Sequence, residues 1–147
     1  MLSSLRRLLG HEPAKPEVTP RLAVAQLLLE MARADFAQDA AEIATIRDLL
    51  SRAYSLSTEE IDGLLAQAGE RVARSISLYD AVNVVNAALG HDERRELLKM
   101  LWLVAYADGK LDKYEEALLR KLADLLFVSH SDFIREKLTV IGKHGPG

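Results

Sequence analysis

The sequence feature that most constrains the fold of this chain is a partial internal repeat. When residues 20–65 are aligned with residues 93–138, an offset of 73, twelve positions are identical without a gap. The identical pairs are Arg21/Arg94, Leu28/Leu101, Ala32/Ala105, Ala34/Ala107, Asp35/Asp108, Asp39/Asp112, Glu42/Glu115, Ala44/Ala117, Arg47/Arg120, Leu49/Leu122, Ile61/Ile134 and Leu65/Leu138. Beyond Tyr54 an offset of 72 fits about as well, which leaves the register open there. Two copies indicate a duplicated unit, because a solenoid needs at least about three.

Apolar residues recur at helical spacing through both copies. The first such run follows Thr19-Pro20, which are typical of an N-cap and a first helical position. Comparable signals predict seven helices, at about residues 20–35, 39–54, 58–68, 77–89, 92–107, 112–127 and 131–141. We expect Gly90 to close the fourth helix. Since no segment alternates like a strand, the predicted class is all-α, a single domain containing an internally duplicated helical hairpin.

The ends of the chain differ from this domain in composition. We predict a short amphipathic segment and linker over residues 1–19, the helical domain over residues 20–141, and a flexible tail over residues 142–147. The linker, residues 10–19, carries two prolines and a glycine. The stretch from Leu2 to Leu9 could touch a membrane surface, dock on the domain or fray. Its eight residues are too few for stable membrane binding, which favours docking or fraying.

The composition limits the expected cellular location of the protein and the classes of partner that it could bind. The chain has no cysteine, so disulfides and thiolate metal sites are excluded. Arginines interrupt the apolar residues at the start, unlike a signal peptide, and no run of about 18 apolar residues occurs. The net charge of −3, made of mixed charges, argues against nucleic-acid binding. We therefore expect a cytoplasmic protein without stable membrane insertion, which binds a protein partner or self-associates.

Each copy carries the pattern Asp-x-x-x-Asp-x-x-Glu between its first two predicted helices. The second Asp and the Glu have the spacing of a capping box, and their charges favour the positive end of the helix dipole. In the second copy Gly109 suits a left-handed residue after a helix. The residues of the pattern are Asp35, Asp39 and Glu42 in the first copy and Asp108, Asp112 and Glu115 in the second.

The first Asp of each pattern is harder to explain by capping. Asp35 and Asp108 are expected in a last helical turn, where a negative charge is unfavourable. Either this carboxylate accepts hydrogen bonds from the next helix, or the three carboxylates bind a divalent cation. Carboxylates without Cys or nearby His suit Ca²⁺, Mg²⁺ or Mn²⁺. The repeated Arg47 and Arg120 are expected to lean toward the clusters and balance their charge.

These residues resemble the tellurite-resistance protein B (TerB)-like family over about residues 20–140. The resemblance rests on the segment Glu30 to Asp35 with its acidic residues, and on the segment Trp102 to Asp112 followed by Glu115. The first copy departs from the pattern because Phe36 stands where the second has Gly109. The resemblance implies an all-helical, pseudo-symmetric domain whose acidic clusters are proposed to bind metal. It also implies a setting in bacterial tellurite or stress-response systems.

The chain lacks the motifs of common enzyme classes. No Gly-rich phosphate loop, nucleophile elbow or His-Glu-x-x-His occurs, and the acidic pairs have the spacing of caps. We therefore predict a non-enzymatic helical module without catalytic residues or an organic cofactor. Two functions stay open at this point: divalent-cation binding through the six acidic residues, and protein interaction with structural acidic turns.

Overall fold

Seven α-helices and no strand make up the described part of the chain. In this computed structural model the described residues are 18–33, 40–74 and 76–144. The helices are α1 (Pro20–Arg33), α2 (Ala40–Tyr54), α3 (Thr58–Ala73), α4 (Leu78–Ala88), α5 (His91–Ala105), α6 (Lys113–Leu125) and α7 (His130–His144). The predicted all-α class is confirmed. Residues 1–17, which are most of the predicted N-terminal segment, and residues 145–147, which are half of the predicted tail, lie outside the described residues.

Several predicted boundaries need correction, among them the end of α3, which continues to Ala73 rather than Ala68. Gly90 does not close α4, because the extended residue Leu89 ends that helix and Gly90 is the N-cap of α5. The Gly90 N–H donates to the Glu93 side chain at 3.0 Å, so the glycine belongs to the next helix. The fifth helix ends at Ala105 rather than Ala107, and the last one continues to His144 rather than Ile141.

The two copies correspond over three helices each. Helices α1, α2 and α3 match α5, α6 and α7, while α4 lies between the copies. Ser57 Oγ accepts the Glu60 N–H before α3, and Ser129 Oγ accepts the Asp132 N–H before α7, both at 3.2 Å. These equivalent caps are 72 residues apart, so the structure selects the offset of 72 beyond α2. The equivalence of the two copies therefore extends beyond the hairpin into the third helix of each, as the aligned ranges 20–65 and 93–138 imply.

Helix α1 lies at the centre of the molecule. Every residue from Leu22 to Leu29 is buried, as are Met31 and Ala32, so this helix is covered on all sides. It packs against α2, α3, α4 and α5 and also touches α6. The core of the second copy is formed around Trp102, whose ring lies 5.1 Å from that of Phe133. Within the described residues no helix has the length and apolar character needed to cross a membrane.

Candidate functional site: the acidic turn between α5 and α6

The acidic turn of the second copy comprises residues 106–112, which join α5 to α6. After Tyr106 caps α5, the Gly109 N–H donates to the Tyr106 carbonyl at 3.0 Å. Gly109 has φ +81°, a left-handed conformation that residues with a Cβ rarely adopt. The left-handed glycine predicted from the sequence is confirmed, and it turns the chain toward the start of α6.

Asp112 and Glu115 form the predicted capping box of α6. Asp112 Oδ1 accepts the Tyr114 N–H at 2.6 Å, and the Asp112 N–H donates to Glu115 Oε1 at 3.2 Å. Both carboxylates lie at the N-terminus of α6, where free N–H groups and the helix dipole favour negative charge. The Glu115 side chain is also buried, with 3% of its surface exposed. This pair therefore has a structural role at the start of α6.

Asp108 differs from the first arrangement considered from the sequence, in which it accepts hydrogen bonds from the next helix. It is exposed, and its Oδ1 accepts the Lys110 N–H at 3.0 Å, within the turn itself rather than in the next helix. Because α5 ends at Ala105, Asp108 lies beyond the last helical turn. The unfavourable interaction with the helix dipole falls off within that turn and is smaller than expected.

The three carboxylates of this turn share a segment without converging as metal ligands. Among the described residues no group of three or more His, Asp or Glu side chains has an arrangement that could hold a metal ion. In the first copy Asp35 and Asp39 lie outside the described residues. Only Glu42 of that cluster has a described position, in the first turn of α2.

Burial of the repeated glutamate is a feature that the sequence reading missed. Glu42 is 1% exposed and its equivalent Glu115 is 3% exposed. The signal was present in the spacing, because Glu115 stands four residues before the buried Leu119, and Glu42 stands four before the buried Ile46. Residues four apart lie on one helix face, so each glutamate belongs to the inward face of its helix.

The repeated arginine does not lean toward the acidic cluster. Arg47 pairs with Asp62 of α3, with Nη2 to Oδ1 at 2.7 Å. Arg120 pairs with Glu116 at 3.1 Å and stands over the Phe133 ring of α7. Five residues turn an α-helix through about 500°, so an arginine five positions after the glutamate points to another side. In both copies it contacts the third helix of the unit instead.

Fold and site together define an all-helical, duplicated module whose acidic turn caps a helix. The family model described as Tellurite resistance protein TerB matches residues 21–138, and the chain belongs to this family. No curated protein and no solved structure matched the chain.

Proposed function

We propose that this chain is a non-enzymatic TerB-family module that binds a protein partner or a second copy of itself, with acidic turns that serve as helix caps. One observation carries the structural role of the turn between α5 and α6. Asp108, Asp112 and Glu115 each accept a hydrogen bond from a backbone N–H between residues 110 and 114. A cation bound to the same carboxylates would compete with these bonds. The turn as it stands supports a role in stability.

A second candidate function is divalent-cation binding at the same turn. The exposed carboxylate of Asp108 and the left-handed Gly109 favour it, because a glycine allows backbone conformations that bring carbonyls toward a cation. Asp108, Asp112 and Glu115 would bind Ca²⁺, Mg²⁺ or Mn²⁺ together with carbonyls and water, since Ca²⁺ takes six to eight oxygens. Asp35, Asp39 and Glu42 would form the poorer site, because Phe36 stands in place of the glycine.

Thermal unfolding of the full chain with and without cations separates the two candidates. If the turn is structural, millimolar Ca²⁺, Mg²⁺ or Mn²⁺ leaves the melting temperature unchanged. Asp112→Ala should then lower the free energy of unfolding by about 1 kcal/mol, through loss of the cap, with and without cations. In a domain of this size that loss corresponds to roughly 2–4 °C in melting temperature. Asp124→Ala, at an exposed carboxylate of α6 outside the turn, is the matched control.

Cation binding predicts a different result in the same experiment. A cation that binds only the folded state would raise the free energy of unfolding by about 2.7 kcal/mol at a hundred times its dissociation constant. Asp108→Asn would then remove most of that increase and leave the cation-free protein almost unchanged. A rise in wild type that Asp108→Asn abolishes and Asp124→Asn retains would contradict the structural proposal.

The biological setting belongs to the same proposal. Family membership supports a bacterial tellurite or stress response, and the cysteine-free composition agrees with a cytoplasmic location. The absence of enzyme motifs supports a role in binding rather than catalysis. Exposed apolar side chains such as Phe127 and Leu138 offer contact points for a partner, because aromatic and aliphatic groups dominate the centres of interfaces.

A further inference from the structure

An apolar groove with an acidic edge lies between α1, α2 and α5. Its volume is about 300 Å³. The half-buried Tyr54, Leu89 and Met100 contribute apolar surface to it. Since a water molecule occupies about 30 Å³, the groove has room for several aliphatic side chains.

The charges around the groove are mainly negative. Asp92, Glu93 and Glu96 all line it from α5, and all three are exposed. Glu93 also caps α5, and Asp92 has only long contacts to His91 and Arg95, at 3.8 and 3.7 Å. The opposing charge is Arg21, whose guanidinium stands 5.8 Å from the centre of the Tyr54 ring. An occupant with apolar side chains and positive charge would complement this surface.

The surroundings of Tyr54 show that water is partly excluded from one end of the groove. Burial raises the pKa of its hydroxyl, the nearby Arg21 lowers it and Glu93 raises it again, with a net rise above the ordinary value. An apolar side chain bound at this end would lie against a surface from which water is already partly excluded.

We propose that residues 2–9 of the same chain dock in this groove, with their leucines on its apolar surface and Arg6 and Arg7 beside its acidic edge. In helical spacing Leu2, Leu5 and Leu9 lie on one face. The other segments outside the described residues do not fit. Residues 34–39 carry two aspartates, and residues 145–147 contain only glycine and proline.

The connection between this segment and the domain is short enough to favour docking. Val24, which lines the groove, lies only about 6 Å along α1 from Pro20. The linker of residues 10–19 spans up to about 33 Å when extended, so it reaches the groove without strain. A segment tethered through so few residues is held at an effective concentration on the order of millimolar, which populates even weak contacts.

A spin label on the segment tests the proposal in the full chain. The chain has no cysteine, so Ser4→Cys can be labelled at that position alone. In an ¹⁵N-labelled sample we expect strong paramagnetic broadening of the amide signals of Ala53, Leu89 and Met100. The signal of Thr139, on α7 and not part of the groove lining, should be broadened much less. Broadening that is absent, or equal at all these amides, would overturn the proposal.

Charge reversal gives the matched controls. Arg6→Glu with Arg7→Glu should lower the ratio of docked to undocked chains roughly tenfold, because two attractive contacts become repulsive. Arg6→Lys with Arg7→Lys should keep the broadening. Adding Asp92→Lys and Glu96→Lys to the reversed segment should restore it. Loss without restoration would contradict the pairing with the acidic edge.

Two further measurements decide between occupants. In the first, spin-labelled chains without ¹⁵N are mixed with ¹⁵N-labelled chains that carry no spin label. Broadening in this mixture would show that the segment docks on a second copy and would overturn the proposal. Anionic lipid vesicles are then added to the doubly labelled chain. Broadening of the groove amides in the absence of vesicles supports docking within the chain. A segment that becomes ordered only when vesicles are present contradicts it.

Discussion

Ser55 and Phe127 hold left-handed backbone although neither is glycine, with φ of 53° and 59°. They are equivalent residues of the two copies, 72 positions apart, and each lies just past the second helix of its copy. Left-handed conformation costs a residue with a Cβ about 1–2 kcal/mol. The same local strain is therefore present in both copies, at the turn before α3 and at the turn before α7.

Replacing Phe127 tests the size of this strain. The side chain is 72% exposed, so it loses little packing when it is removed. We expect Phe127→Gly to raise the free energy of unfolding by up to about 1 kcal/mol, since relief of strain exceeds the entropy that glycine adds to the unfolded chain. Chemical denaturation measures the change. Phe127→Ala, which removes the same ring without relieving the strain, should show no gain; a gain equal to that of glycine would refute this explanation.

At the level of the helices, Glu116 joins α6 to α7. Its Oε1 accepts from Arg120 Nη2 at 3.1 Å on the same helix and from Lys137 Nζ at 3.2 Å on the next. Partial burial would raise the pKa of Glu116, but these hydrogen bonds and positive charges outweigh it and hold the pKa below the ordinary value of 4.5. The charged form is thus favoured in the folded protein.

This depressed pKa predicts how the contact depends on pH. The stability that it contributes is present above the ordinary value of 4.5 and is lost as pH falls through the lower pKa of the folded state. Glu116→Gln should reduce the free energy of unfolding at pH 7 by less than about 1 kcal/mol, because the pair is partly exposed. Urea unfolding from pH 7 to pH 3 should show the difference from wild type disappearing in acid. Glu70→Gln, an exposed change on α3, is the control; a difference that grows in acid would be incompatible with this assignment.

The helices could be predicted from the sequence because their signals are local. The cap at Asp112 involves residues only two or three positions apart, and this prediction is confirmed. Gly90 was assigned to the wrong helix because glycine suits both the end of one helix and the N-cap of the next. The position of Asp108 depends on where α5 ends, and the groove at Tyr54 depends on how the helices pack. The spacing of residues in the sequence does not specify either.

At the scale of the whole molecule, the two copies share one core through α1. Leu28 of α1 and its equivalent Leu101 of α5 are both fully buried in the same cluster. The two copies are therefore not expected to move relative to each other, and they should unfold together.

We expect Leu28→Ala to destabilise both copies, by about 2–5 kcal/mol, as for other buried leucines. Trp102, the single tryptophan, lies in the second copy and reports on it by fluorescence, while far-UV circular dichroism reports on all helices. The two signals should shift together in urea. Leu101→Ala is the matched change in the second copy and should behave alike. A fluorescence transition that Leu28→Ala leaves in place would mean that the copies unfold separately.

The central position of α1 also affects synthesis of the chain. Ribosomes add about 5–20 residues per second, so several seconds pass between the emergence of α1 and that of α5. During this interval the leucines of α1 lack one of the surfaces that cover them in the finished protein. The nascent chain therefore exposes a strongly hydrophobic helix for longer than a protein whose central helix is made last. Transient exposure of such a surface makes a folding chain prone to aggregation, which chaperones counteract.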